Sequence, residues 1–224
     1  DGRGDWPYYA GDQGATHYSP LADINRVSVK ELTVAWRWRP NEKKLDHFGT
    51  QPGTFQNTPL MIDDVLYVST PYNRVVALDA ATGVERWSYD PKAYEDGQPP
   101  NGTGFVHRGV AAWRGERGAL RIFINSRYRL ISLDAKMGQP IATFGSGGVV
   151  DLTHGLSRAV NRRHYTNTSP PVVYKDLVIL GNGVGDRLVY TNDPPGDVRA
   201  FDARTGKIAW TFRPIPPPGE FGHE

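Results

Sequence analysis

Val76-Ala77-Leu78-Asp79-Ala80-Ala81-Thr82-Gly83-Val84-Glu85-Arg86-Trp87 is the stretch from which the fold can be read, because it recurs. A second copy is Val198-Arg199-Ala200-Phe201-Asp202-Ala203-Arg204-Thr205-Gly206-Lys207-Ile208-Ala209-Trp210. A degenerate copy runs from Leu130 through Leu133-Asp134-Ala135-Lys136-Met137-Gly138 to Ala142. Each has an apolar strand, an aspartate, a glycine four residues on and a second strand directly after it. The Asp carboxylate can accept from backbone amides two or three residues later, and the glycine can take the positive φ that closes the turn. Apolar residues on either side, alternating or continuous, suit half-buried strands. In two copies a Trp follows eight residues after the Asp, and Ala142 holds that slot in the middle copy. Such a Trp can pack its ring on a neighbouring sheet and give its N–H to a carbonyl. Repetition of the unit marks a β-repeat architecture.

Working outward, four short strands are predicted around each copy. The first unit takes Thr58–Ile62, Val65–Ser69, Arg74–Leu78 and Glu85–Tyr89, with Asp63-Asp64 as a hairpin turn. The second takes Gly109–Trp113, Leu120–Asn125, Arg129–Leu133 and Pro140–Phe144. The third takes Pro171–Tyr174, Leu177–Gly181, Val198–Phe201 and Lys207–Phe212, its middle turn expanded into an excursion from Asn182 to Asp197. Leu32–Trp38 alternates and reads as an orphan strand whose partners lie elsewhere. No helix-length periodic segment separates the strands, which excludes βαβ alternation. The expected fold is all-β, a β-propeller of four-stranded antiparallel blades, with about three blades plus an orphan strand here. Residues 1–57 form an amino-terminal segment and the orphan strand, and the blades occupy 58–90, 109–144 and 170–213. Propellers close with about four to eight blades, so the remaining blades are expected in the parent chain or in another chain. The middle unit, without its Trp, is expected to form the loosest blade junction.

Composition agrees. The 224 residues hold 25 Gly, 18 Pro, 11% aromatics and only 2 Met, a turn-rich β balance. There is no Cys, which rules out disulfides and Cys-ligated metals. A net charge of +2 gives no electrostatic argument for nucleic acid. The one basic cluster, Arg158, Arg162, Arg163 and His164, reads as a solvated loop face. No apolar run approaches a membrane span. Asp1-Gly2-Arg3-Gly4-Asp5 reads as a mature or trimmed start without a signal peptide.

The Asp-Ala-Xaa-Thr-Gly-Lys-Xaa-Xaa-Trp pattern resembles the tryptophan-docking motif of the quinoprotein dehydrogenases, eight-bladed propellers that bind pyrroloquinoline quinone (PQQ). Further segments fall in the family's order. They are Gly11-Asp12-Gln13-Gly14-Ala15-Thr16-His17-Tyr18-Ser19-Pro20-Leu21, Thr58-Pro59-Leu60, Arg108-Gly109-Val110, Phe144-Gly145 with Gly148-Val149-Val150-Asp151-Leu152, and Thr168-Ser169-Pro170-Pro171. The resemblance covers almost the whole chain and looks most like the glucose dehydrogenase type and related sugar, polyol or alcohol dehydrogenases. It implies PQQ and Ca²⁺ (or Mg²⁺) as cofactors, a sugar, polyol or alcohol substrate, a quinone or cytochrome electron acceptor, and a periplasmic location. The family's catalytic aspartate would lie in later blades, beyond Glu224. A non-catalytic propeller scaffold of the same repeat family is the alternative. A WD-type interaction propeller is disfavoured because its Gly-His and Trp-Asp signatures are missing.

PQQ is a flat tri-acid with an electrophilic ortho-quinone, so its site needs cations, hydroxyls, backbone donors and a hard cation. By resemblance Arg108 contacts the cofactor, and its planar donor fork suits a carboxylate or quinone oxygen. Gln56 stands where many relatives place a glutamate, and it keeps a hydrogen-bonding amide without the charge. Thr168 matches a hydroxyl that reaches the cofactor. Gly183, Val184 and Gly185 match a backbone run beside it, and Asp186 matches the family's acidic metal ligand, a hard oxygen of the kind Ca²⁺ prefers. Without the resemblance, Arg108 reads as a salt-bridge former, Thr168 as a strand-start hydroxyl, and Asp186 as a solvated loop residue. The glycines of 181–185 are not a dinucleotide loop, because no helix follows them. Gly102 and Thr103 replace the adjacent cysteines of methanol dehydrogenase-like members, and Gly104 replaces a histidine of glucose dehydrogenase-like ones. His107 is three residues away and would reach the cofactor only along a different loop path.

Overall fold

A computed structural model describes residues 4–100, 102, 104–185 and 190–223. Among the described residues twelve strands form three antiparallel sheets of four. The first holds β1 (Leu60–Ile62), β2 (Val65–Ser69), β3 (Val75–Asp79) and β4 (Glu85–Tyr89). The second holds β5 (Ala111–Arg114), β6 (Leu120–Ser126), β7 (Arg129–Asp134) and β8 (Val149–Asp151). The third holds β9 (Val172–Tyr174), β10 (Leu177–Leu180), β11 (Val198–Asp202) and β12 (Ile208–Phe212). Within each sheet the strands pair in chain order, as short hairpin turns require.

The repeated turn is the same object three times. Asp79 Oδ1 accepts from the Thr82 amide (2.9 Å) and hydroxyl (2.8 Å). Asp134 Oδ1 accepts from the amides of Lys136 and Met137, both at 2.9 Å. Asp202 Oδ1 accepts from the Arg204 amide and from the Thr205 amide and hydroxyl. Each glycine amide returns to its Asp carbonyl at 2.8 Å. Gly83, Gly138 and Gly206 hold φ of 71°, 69° and 73°, a region in which a side chain would be strained. At Asp79, the Arg86 guanidinium, followed by Thr82, holds the carboxyl well down at about 2.

The sheets stack face to face. Leu60, Ile62, Tyr67, Val75 and Ala77 of the first pack against Ile122, Ile124, Ile131 and Leu133 of the second. The other face of the second sheet, with Trp113, Phe123 and Leu130, meets Val178, Leu180 and Phe201 of the third. The second sheet is therefore buried on both sides, and Ile122, Phe123 and Ile124 of β6 with Leu130, Ile131 and Leu133 of β7 are fully buried. On the third sheet Val172, Tyr174, Ile208, Trp210 and Phe212 are exposed.

Two expected strands differ. Residues 32–38 form no ladder, since an extended segment is a strand only when a neighbour accepts its hydrogen bonds. The segment instead lays Trp36 and Trp38 on Val68, Val76 and Leu78, and the Trp36 indole donates to the Ala80 carbonyl at 3.1 Å. In the second blade Pro140–Phe144 is not the edge strand. The chain pairs with β7 only briefly, through Leu133–Pro140 and Ile141 N–H to the Ser132 carbonyl. It then loops out through 142–148 and resumes as β8 against Arg129–Ile131. Phe144, carried on that excursion, is fully buried between the second and third blades.

Candidate functional site

The segments that lead into β1, β5 and β9 converge. Thr58 N–H donates to the Arg108 carbonyl, and Arg108 N–H donates to the Thr168 carbonyl, both at 2.9 Å. Gly109 sits at the crossing, where a Cβ would come within 2.9 Å of the Thr58 carbonyl and 3.7 Å of the Pro170 ring. The Arg-Gly-Val order follows from this close approach. It leaves the half-buried Arg108 side chain beside Thr168, and the guanidinium Nη1 donates to Thr168 Oγ1 at 2.7 Å.

Beside this pair lies a cleft of about 240 Å³, lined by Asn125, Asn167, Thr168, Ser169, Pro170, Leu180, Gly181, Asn182 and Gly183. Among the described residues its polar groups are amides, hydroxyls and backbone. Gly183 is pressed against the wall. Its amide donates to the Thr166 carbonyl at 2.7 Å, and a Cβ there would meet Thr166 Oγ1 at 2.5 Å. Val184 and Gly185 continue outward and are exposed. Gln56 is exposed and does not line the cleft. Asp186 falls outside the described residues, and among the described residues no group of three or more His, Asp or Glu could hold a metal. The structure thus brings Arg108, Thr168 and Gly183 to one region. A donor set of guanidinium, hydroxyl, amide and backbone fits a multiply acidic planar cofactor.

His107 does not offer its ring to the cleft. It is 1% exposed, Nδ1 lies 3.1 Å from Ser69 Oγ, and Nε2 lies 3.0 Å from both the carbonyl and the Oδ1 of Asn125. Burial pushes its pKa down to about 4, so the imidazole is neutral. Asn125 and Ser69 escaped the sequence reading. Their signal is a polar residue closing an otherwise apolar strand.

The basic cluster does lie on an exposed loop face, with Arg158, Arg162 and Arg163 exposed and His164 half-buried, and it is also bonded to its surroundings. Arg158 donates to the Asp193 carbonyl at 2.9 Å, and Arg162 pairs with Asp151. His164 Nδ1 meets Asp193 Oδ1 at 2.6 Å. The Arg163 carbonyl accepts from the buried Arg127 at 2.8 Å. These residues tie the 153–167 loop to its surroundings.

Residues 6–224 match the family described as "PQQ: Glucose/ethanol/alcohol dehydrogenase, beta-propeller domain". The chain belongs to this family. It is 32% identical over 220 residues to the quinoprotein glucose dehydrogenase of Escherichia coli (strain K12), a match covering 94% of this chain and 27% of that protein. It is 36% identical over 218 residues to the dehydrogenase subunit of an alcohol dehydrogenase (quinone) of Gluconacetobacter polyoxogenes, covering 97% and 26%. The crystal structure of the quinohemoprotein alcohol dehydrogenase from Comamonas testosteroni aligns with a TM-score of 0.72 at 29% identity, covering 98% of this chain and 29% of that one. The chain therefore spans under a third of the length of these relatives. The three four-stranded sheets are blades of the family's β-propeller. Among the described residues no helix is long and apolar enough to cross a membrane.

Proposed function

We propose that the full-length protein is a PQQ-dependent dehydrogenase that oxidises a sugar, polyol or alcohol in the periplasm and passes electrons to a quinone or cytochrome. One observation carries this reading: the Arg108–Thr168 donor pair stands where three blade lead-ins converge, beside a cleft lined, among the described residues, by amides, hydroxyls and backbone. A scaffold has no use for such a pair, whereas a bound tri-acid needs it. When bound, PQQ supplies the electrophilic quinone that accepts the substrate's electrons.

The residues of this chain bind and orient. Arg108 directs its remaining N–H groups at an anionic edge, and the bond to Thr168 holds the guanidinium against rotation. Gly183 lets the backbone come close, with Val184 and Gly185 extending that run, and Asp186 supplies a hard oxygen to Ca²⁺ or Mg²⁺. Gln56 offers an amide from the segment before β1. The later blades, which would carry the catalytic aspartate, complete the site.

The test is a PQQ titration of the full-length protein with Ca²⁺ present, followed by dye reduction with glucose and simple alcohols. Arg108→Ala is expected to raise the PQQ Kd about 10- to 100-fold, the loss of a charge-assisted hydrogen bond. Absence of PQQ uptake by the wild type overturns the enzyme reading. Full uptake and activity in Asp186→Ala overturns the metal assignment alone.

A further inference from the structure

The residues beside the site are linked by a relay that the donor pair itself does not need. Asn57 Oδ1 accepts from the Ser69 amide at 2.7 Å and the Ser69 hydroxyl at 3.0 Å. Ser69 Oγ lies 3.1 Å from His107 Nδ1. His107 Nε2–H donates to Asn125, and Asn125 Nδ2 donates to the Ser169 carbonyl at 2.9 Å. Asn57, His107 and Ser169 are each one residue away from Thr58, Arg108 and Thr168, the three residues whose backbones bond to one another at the convergence. The relay therefore runs alongside that backbone seam and crosses the same three blades.

We propose that His107 is a positioning residue for the cofactor site, fixing the Arg108–Thr168 donor pair by tying the lead-ins of three blades together. What the pair binds rests on the PQQ reading above. The geometry asks for an imidazole. A carbonyl on the Asn125 side requires a donor, while on the other side the Gly109 amide (3.4 Å) requires an acceptor, as does the Ser69 hydroxyl when its single proton turns from Asn57 to His107. Neutral histidine presents both at fixed opposite positions on a rigid ring, and a buried polar chain stiffens its surroundings only when every member is satisfied. An apolar side chain could fill the volume but would leave the lead-in of β5 free to rotate Arg108. An ordinary core histidine would satisfy its neighbours equally well, but its loss would not act through Arg108, and that difference can be measured.

The test uses full-length protein as wild type, His107→Leu, His107→Gln, Ser69→Ala, Arg108→Ala and the double variant His107→Leu/Arg108→Ala. PQQ affinity is read by quenching of tryptophan fluorescence, and backbone mobility by hydrogen exchange of the cofactor-free protein. His107→Leu is expected to raise the PQQ Kd at least about tenfold, the equivalent of one net hydrogen bond. His107→Gln, whose amide keeps a donor for Asn125, is expected to recover to within about threefold, and Ser69→Ala, which cuts one link only, to lose about threefold. In the Arg108→Ala background the leucine is expected to add less than about twofold, because coupled residues are not additive. Exchange in His107→Leu should accelerate in 105–109 and 166–170 and not in β2 or β6. Additive losses, or unchanged Kd with unchanged exchange, overturn the proposal. If the leucine variant does not fold, Ser69→Ala carries the same two readouts. If the wild type binds no PQQ, the cofactor reading fails and exchange decides alone: local acceleration upholds the positioning role, while uniform or absent acceleration overturns it.

Discussion

The junction between the first and second blades and the junction between the second and third use the same receptor and different donors. In the first, the Trp87 ring lies on the Gly138 turn and its indole N–H donates to the Ala135 carbonyl at 3.0 Å. Tyr67 Oη–H reaches that carbonyl as well, at 3.2 Å. In the second, the Trp slot holds Ala142, and the equivalent carbonyl of Ala203 accepts instead from Arg121 Nη1 at 3.1 Å. The same nitrogen also reaches the Arg204 carbonyl at 2.8 Å. Arg121 and Arg204 each lie 5.3 Å from the Trp113 ring, whose N–H donates to Asp176 at 3.1 Å. The Gly206 turn is covered by Val150 and Phe144. The expectation of a loose middle junction thus gives way to a differently built one. An Asp-Ala-Xaa-Xaa-Gly turn always presents an unpaired carbonyl and a flat glycine surface, and either an indole or a guanidinium can satisfy it.

The comparison is broken most strongly at Trp87. Trp87→Ala removes a large half-buried ring and one hydrogen bond, and is expected to cost about 3 kcal/mol in urea unfolding of the full-length protein. Arg121→Ala removes two carbonyl bonds and the stacking on Trp113, for about 2 kcal/mol. Salt separates the two. At about 1 M NaCl the Arg121 effect should shrink while the Trp87 effect does not. Arg121→Lys should recover little, since an ammonium cannot fork between two carbonyls while lying flat on an indole. Equal salt responses would mean that both junctions depend on apolar packing alone.

The receptor half of this arrangement was legible in the sequence, and the donor half only in part. Asp79, Asp134 and Asp202 with their glycines are local chemistry, so spacing alone revealed them. The strands of the first and third sheets were legible for the same reason. Arg121 is not, because its partners lie 82 and 83 residues away and an arginine inside an apolar strand carries no pattern. Pro140–Phe144 looked like a strand because Ile141, Ala142 and Phe144 are apolar, but Phe144 is buried from a loop. The true edge strand, β8, has three residues and no period to detect. At the site, Arg108 and Thr168 were picked out by family resemblance, since neither residue type nor spacing distinguishes them from ordinary strand-end groups. The relay through His107 escaped because it joins residues 18 and 38 positions apart, which only the folded chain brings together.

The glycines sharpen the comparison further. Both Gly138 and Gly206 hold positive φ, so alanine at either is expected to cost about 1 kcal/mol of backbone strain. At Gly138 the new methyl would also collide with the Trp87 ring, which cannot yield without losing its bond to Ala135. At Gly206 the nearest atom is a Val150 methyl at 2.6 Å, the end of a side chain that can turn aside, and the backbone nitrogen of Gly145 at 3.0 Å would have to give by only a few tenths of an ångström. Gly138→Ala is therefore expected to exceed Gly206→Ala by about 1 kcal/mol in the same unfolding assay. Equal losses would show that backbone strain, and not the identity of the covering group, sets the cost.

The smallest effect at neutral pH tests whether the shared carbonyl at the first junction needs both donors. Tyr67→Phe removes one of two bonds to the Ala135 carbonyl, and because the Trp87 indole remains, the expected cost is about 1 kcal/mol or less at neutral pH. Alkaline pH reverses the sign. Burial raises the Tyr67 phenol from 10.0 to about 12, so between these values the unfolded chain loses its proton while the folded one keeps it. Stability that is fully present below pH 10 is then lost as pH rises toward the folded value. A one-unit difference between states is about 1.4 kcal/mol, so near pH ~11 the wild type should forfeit about what its hydroxyl contributes. Above that pH the phenylalanine variant should be the more stable protein. Tyr89, Tyr94 and Tyr165 are also raised by burial, but they are common to both proteins and cancel in the difference. Parallel unfolding curves for the two proteins from neutral to alkaline pH would mean that the Tyr67 phenol is not buried at this junction in solution, leaving Trp87 as the donor on which the junction depends.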